Sequence, residues 1–170
     1  MRHRTSAILL TAMLASPAGA GERAMETPCS ISAYVTDRDP HGLNVRAGPS
    51  TRAAVLRVVS NAGSGVAAVR ARRGGWFRVA AIVDAESEAE LFRGDGWVHR
   101  SLLHLDGTAA DPRLYAAPRR DARVLARVDP DEADLVLIGC SGAWAQVHVR
   151  GRTGWLSPDG QCSNPLTTCA

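Results

Sequence analysis

The sequence predicts an all-β protein built from two small modules of one kind. Three observations carry that expectation. First, a set of anchors repeats in order: Pro49, Val55-Leu56, Gly74-x-Trp76 with Val79, and Gly96-Trp97 return as Pro118, Val124-Leu125, Gly142-x-Trp144 with Val147, and Gly154-Trp155. The Pro-to-Val step is six residues in both copies, and the Pro-to-Trp step is 27 in one and 26 in the other. Internal repetition at this scale sets the architecture before any single motif does. Second, short apolar stretches of strand length are separated by Gly, Pro and Asp. Third, those stretches recur at regular spacing, which argues for a sandwich or small barrel.

The elements follow in order. Ile31, Ala33 and Val35 alternate with polar neighbours, as on a half-buried strand. Asp37-Arg38-Asp39-Pro40-His41-Gly42 is a turn cluster, and Leu43-Asn44-Val45-Arg46 alternates again. Ala47-Gly48-Pro49-Ser50 turns the chain, because Gly accepts positive φ and Pro fixes the next one. Val55–Val59 and Val66–Ala71 read as strands, and Gly74-Gly75 turns tightly into Trp76-Phe77-Arg78-Val79. Gly96-Trp97-Val98 opens a last short strand of the first module. In the second module Leu114–Pro118 opens the copy, with strands expected at Val124–Val128, Leu135–Ile138, Trp144–Val149 and Trp155-Leu156. Asp106–Pro112 between the modules has linker composition.

The copies differ by an insertion. Trp76 to Trp97 spans 21 residues and Trp144 to Trp155 spans 11. The extra residues fall within 82–95 and include Asp84, Glu86, Glu88 and Glu90. A longer hairpin is the simplest outcome, with one helical turn possible over Ala85–Phe92.

Residues 1–20 have the three parts of an export signal: basic Arg2-His3-Arg4, an apolar run from Ala7 to Ala15, and Ala18-Gly19-Ala20 as the small-x-small cleavage pattern. The run is shorter than the roughly 20 apolar residues of a membrane-spanning helix. No Cys directly follows it, which argues against a lipoprotein anchor. The full chain has 20 basic and 17 acidic residues; loss of Arg2 and Arg4 leaves 18 against 17, a net of about +1. A near-neutral chain with few aromatics lacks the electrostatic footprint of a nucleic-acid binder.

Cys29, Cys140, Cys162 and Cys169 remain after cleavage, an even count that suggests two disulfides in an exported chain. Three pairings are possible. Shared membership of the second module favours Cys140 with Cys162, which leaves Cys29 with Cys169. Close CxxC spacing is missing, so a metal site is disfavoured.

Leu43-Asn44-Val45-Arg46-Ala47-Gly48-Pro49-Ser50, then Val55-Leu56, Gly75-Trp76-Phe77-Arg78-Val79 and Gly96-Trp97-Val98, resembles the bacterial SH3-like (SH3b) domain family. The second module keeps Leu114, Pro118 and a Gly154-Trp155-Leu156 ending but lacks the Asn-Val-Arg-x-Gly centre. The resemblance implies two tandem small SH3-like half-open β-barrels after a cleaved signal peptide. The expected layout is a signal over 1–20, a lead-in over 21–30, module one over 31–105, a linker over 106–113, module two over 114–160 and a Cys-containing tail over 161–170. It also implies an extracytoplasmic, non-catalytic binding role, toward an envelope protein or peptide or toward peptidoglycan, with no cofactor.

The residues themselves say less about chemistry. Four tryptophans at Gly-marked matched positions fit packing roles first. If a ligand groove exists, Tyr34, Arg46, Trp76 and Trp97 are its expected lining. His41, His99, His104 and His148 have no nucleophile or carboxylate at motif spacing, and Gly139-Cys140-Ser141-Gly142-Ala143 fails the G-x-S-x-G frame. Ser141 and His148 are the residues a dispersed hydrolase site would use, and no catalytic residue is expected.

Overall fold

The computed structural model describes residues 25–60, 62–108, 110–128, 135–164 and 166–167. The expected export signal and Cys169 lie outside these. Among the described residues the chain is all-β and SH3-like, with twelve strands. The first seven are β1 (Thr27–Val35), β2 (Leu43–Arg46), β3 (Val55–Val59), β4 (Gly65–Arg73), β5 (Trp76–Asp84), β6 (Glu90–His99) and β7 (Leu103–Leu105). The next five are β8 (Arg113–Tyr115), β9 (Val124–Arg127), β10 (Leu135–Ser141), β11 (Trp144–Val149) and β12 (Arg152–Leu156). All join one open sheet in the order β3-β2-β6-β5-β4-β1-β7-β10-β11-β12-β8-β9. Every pair of named strands is antiparallel.

Outward from the central β1–β7 pair, the succession is alike on both sides. One side runs β4, β5, β6, β2, β3 and the other β10, β11, β12, β8, β9. A 3-10 turn follows the Gly-Trp strand in each half, at Arg100–Leu102 and at Pro158–Gly160. Register fixes the correspondence. Arg46 lies opposite Trp97 and Val55, and Tyr115 lies opposite Trp155 and Val124.

β1 forms because Cys29, Ile31, Ala33 and Val35 alternate inward while Ser30 and Ser32 face water. It begins at Thr27, inside the stretch read as a lead-in, and Tyr34 and Val35 pair with His104 and Leu103 of β7. β7 in turn pairs with β10 through Leu105–Leu135 and His104–Val136. One apolar core therefore runs through both halves, from Leu43, Val45, Phe77 and Val98 to Leu114, Leu137, Val147 and Leu156. The stretch of linker composition is also packed. Asp106 and Cys162 exchange two backbone hydrogen bonds of 2.8 Å, and Gly107, Thr108 and Asp111 are buried.

The glycines before Trp97 and Trp155 have a steric cause. A Cβ on Gly96 would sit 2.2 Å from Val45 Cγ1, and one on Gly154 would sit 2.5 Å from Leu114 Cγ. In each half the first strand presses its buried aliphatic residue onto the strand that carries the Trp. Only glycine leaves room for that crossing.

The acidic insertion lengthens the β5–β6 hairpin, as the simplest reading expected. The alternative helical turn over Ala85–Phe92 does not form, since β6 already begins at Glu90. Asp84 organises the tip. It accepts hydrogen bonds from Ser64 Oγ, from Ser87 N and Oγ at 2.8 Å each, and from Glu86 N at 3.2 Å. The Ser64 hydroxyl first, then Ser87, holds its carboxyl down to about 2.

The disulfide arrangement corrects both favoured pairings. Cys29 is bonded to Cys140, across 111 residues, with Cα atoms 5.6 Å apart. The reason is spatial. Ser30 N donates to Gly142 O at 2.8 Å and Gly142 N donates to Pro28 O at 3.1 Å, so the start of β1 is laced to the end of β10. Cys162 is also disulfide-bonded.

Two outcomes follow from this packing. Gly96→Ala should lower stability by about 1–3 kcal/mol in urea denaturation, the range for overpacking. Adding Val45→Ala should recover part of that loss; a strictly additive double variant would show that the crossing is not the cause. Cys29→Ser with Cys140→Ser should cost about 2–5 kcal/mol, as expected for a long closed loop. Alkylation of the native protein followed by mass measurement should find no free thiol.

Candidate functional site

Of the four residues the sequence singled out, the structure brings two to one cleft. Arg46 and Trp76 line an open cavity of about 330 Å³ together with Asp37, Asp39, Thr51 and His99. The walls come from the loop between β1 and β2, the turn after β2, the start of β5 and the end of β6. Gly74, at φ +58°, turns β4 into β5 and sets Trp76 at the rim. The Trp76 indole meets the His99 imidazole edge to face, with centroids 5.1 Å apart. His99 Nδ1 lies 2.8 Å from Ser101 Oγ, which holds the ring at the head of the 3-10 turn. Arg46 Nη1 donates to Ala53 O at 3.0 Å, anchoring the guanidinium to the loop.

Tyr34 and Trp97 lie elsewhere. Tyr34 is 7% exposed on the central seam and donates its hydroxyl to Asp106 Oδ1 at 2.8 Å. Trp97 is 6% exposed, one strand over from Arg46, with the Arg73 guanidinium 5.6 Å above its ring. Neither lines the cleft.

The loop carboxylates were missed as site residues. Asp37-Arg38-Asp39 was read only as a turn, which it also is: Asp37 Oδ1 accepts Asp39 N at 2.8 Å, and Asp39 Oδ1 accepts His41 N at 2.9 Å. The His41 backbone N–H, then its imidazole, lowers the Asp39 carboxyl from its ordinary value. The usable signal was two acids in a loop directly before Leu43-Asn44-Val45-Arg46.

In the matching place of the second half, the chain's own side chains bond to one another. Tyr115 replaces Arg46, Arg113 replaces Asn44, and Arg120 stands two residues after Pro118 as Thr51 does after Pro49. Ser157 and Asp159 follow Trp155 as His99 and Ser101 follow Trp97. At the centre is Asp111, 2% exposed. It accepts Arg113 Nε at 2.5 Å, Ser157 Oγ at 2.5 Å, Tyr115 Oη at 3.1 Å and Arg120 Nη1 at 3.5 Å. Arg120 Nη2 donates in addition to Asp159. Tyr115 packs edge to face on Trp144, at 5.4 Å. Burial pushes the Asp111 carboxyl up, but the bonds from Arg113, Ser157 and Tyr115 outweigh it and leave the group below its ordinary value. Burial and the bond to Asp111 push the Tyr115 hydroxyl up.

No group of three His, Cys, Asp or Glu side chains suited to a metal ion occurs among the described residues. His148 and Ser141 are exposed and lie on adjacent strands, with His148 Nδ1 3.2 Å from Thr153 Oγ1 rather than from Ser141. No helix among the described residues is long and apolar enough to cross a membrane.

Residues 41–104, which hold β2 to β6 and most of the open cleft, match the bacterial SH3 domain family. No curated protein matches the chain. The family match covers the first half alone, where the Asn-Val-Arg-x-Gly centre is intact.

The Asp111 network gives a stability test with a definite sign. A carboxyl lowered on folding stabilises above its unfolded value, near 3.9, and that contribution is lost as pH falls through the folded value. Denaturant midpoints of the wild type should therefore decline below about pH 4. Asp111→Asn should lose about 1–3 kcal/mol at neutral pH and show a flatter acid limb. An unchanged limb would assign the acid sensitivity to other carboxylates.

Proposed function

We propose that this protein is an exported, non-catalytic binding module of the bacterial envelope, made of two tandem SH3-like copies. Its ligand is a peptide or protein segment or the cell wall, and binding takes place in the cleft at Trp76 and Arg46. The observation that carries this reading is the open, aromatic-walled cleft in the region that matches a bacterial SH3 domain. Such domains generally bind rather than catalyse, and an aromatic ring beside anchored polar groups is the usual make-up of a recognition site. The Cys29–Cys140 bond supports an oxidising, extracytoplasmic location. So does the signal pattern of residues 1–20. The shared strand succession on both sides of β1–β7 supports duplication, with the second copy serving as a closed structural partner.

A second reading, a periplasmic assembly or scaffold factor, is favoured by one observation. Val55, Leu56 and Val58 are exposed on β3, a terminal strand of the sheet, where another protein could add a strand.

Co-sedimentation with purified sacculi tests the first reading. The wild type should pellet with the wall. Trp76→Ala should weaken retention about tenfold, the effect of one lost aromatic contact of ~1–2 kcal/mol, whereas Trp144→Ala should leave retention unchanged. Full recovery of the wild type in the supernatant removes the wall reading. Crosslinking in cells would then be the test of a protein partner, with Leu56→Asp expected to lose the adduct. Turnover of sacculi by the protein would overturn the non-catalytic assignment.

A further inference from the structure

The two halves offer the same frame with different contents, and the difference carries information about the ligand. In the second half, two guanidiniums occupy the space beside the aromatic wall. Arg113 lies 5.3 Å from the Tyr115 ring centroid, and Arg120 bridges Asp111 and Asp159. Two carboxylates there face two guanidiniums.

In the first half the positions that supply those cations hold Asn44 and Thr51, both uncharged, and a cavity of about 330 Å³ remains. Two carboxylates also line it, Asp37 and Asp39, from positions other than those that match Asp111 and Asp159. Among the lining residues only Arg46 is a guanidinium, and it is held by the carbonyl of Ala53. The Oδ1 atoms of Asp37 and Asp39 cap their own turn, while the Oδ2 atoms accept no hydrogen bond from the described residues. The cleft thus has an aromatic wall, spare carboxylate oxygens and one positive charge fewer than its counterpart.

We propose that the first cleft takes a basic side chain of a peptide segment, its guanidinium or ammonium group filling the space that Arg120 fills in the second half. This rests on the reading of the cleft as the binding site and adds the chemistry of what enters it. The cation would lie against the Trp76 and His99 rings and take charge-assisted hydrogen bonds from its own N–H groups to Asp37 and Asp39. The second half is an internal example of the same recognition, already satisfied within the chain.

The experiment is a titration of the 15N-labelled protein, followed by NMR, with the capped tripeptide Gly-Arg-Gly, its lysine and glutamate analogues, and its neutral citrulline twin. The arginine and lysine peptides should shift the Trp76 indole N–H and the Thr51 and His99 amides saturably and leave those of Trp144 and Trp155 in place. The citrulline peptide should bind about tenfold more weakly, and added salt should weaken the basic peptides. Asp37→Asn with Asp39→Asn should abolish the preference for charge, and Thr51→Arg, which copies the second half, should block binding; both variants must keep the wild-type melting temperature to count. Equal affinity for arginine and citrulline, a preference for the glutamate peptide, no response, or shifts centred on Trp144 would each overturn the proposal. The two readings separate cleanly. Trp76-dependent retention on sacculi without any preference for charge removes this inference alone. Binding of the arginine peptide without retention on sacculi removes the wall reading alone.

Discussion

The antiparallel pairing of β1 with β7 is the interaction on which the rest of the molecule depends. β1 hydrogen-bonds on one side to β4 and on the other to β7, and β7 passes the sheet on to β10. Without that seam there would be two short sheets, each near the size at which a core is marginal. With it there is one sheet and one continuous apolar interior. The Cys29–Cys140 bond ties β1 to β10, the two strands on either side of β7. The covalent staple reinforces a junction that backbone hydrogen bonds and buried aliphatic side chains already define.

The two halves differ more in electrostatics than in strand succession. Gly96 under Val45 and Gly154 under Leu114 preserve the same steric crossing. Beside that crossing, Tyr115 stands where the first half has Arg46, Arg113 where it has Asn44 and Arg120 where it has Thr51. Each difference gives the second half more partners of its own. A buried Asp111 is tolerable there because four donors reach it, from β8, from the loop after β8 and from the segment after β12. The first cleft has no such closure. Its carboxylates cap a turn, its arginine caps a loop, and its tryptophan faces open space.

Much of the fold was legible in the sequence, for physical reasons. β2, β3 and β11 have the expected bounds: β2 and β11 alternate and lie close after Gly42 and Gly142, and β3 is rich in β-branched valine. β6 starts earlier than expected because Glu90-Leu91-Phe92-Arg93 sits in an acidic stretch, and its pairing with β5 is a tertiary matter that local composition does not report. The disulfide was misassigned because membership of a module is a poor guide to distance: β1 belongs to the first half by sequence yet starts beside the end of β10. Of the cleft lining, Trp76 and Arg46 had been singled out in the sequence. Asp37, Asp39 and Asp111 were not, because an aspartate that caps a turn and one that lines a cleft or fills a core look alike in a sequence. Only the strand order shows which neighbours they meet.

The seam also imposes a direction on assembly. Every strand that pairs within the first half, from β1 to β7, is in the chain by Leu105. Its pairings can close as soon as that much polypeptide is free. The innermost strand of the second half, β10, has β7 and β11 as its pairing partners, so one of its edges must wait for a template that the earlier strands provide. The N-terminal half is therefore the scaffold on which the C-terminal half is laid down. Docking of β10 against β7 is also what brings Cys140 beside Cys29.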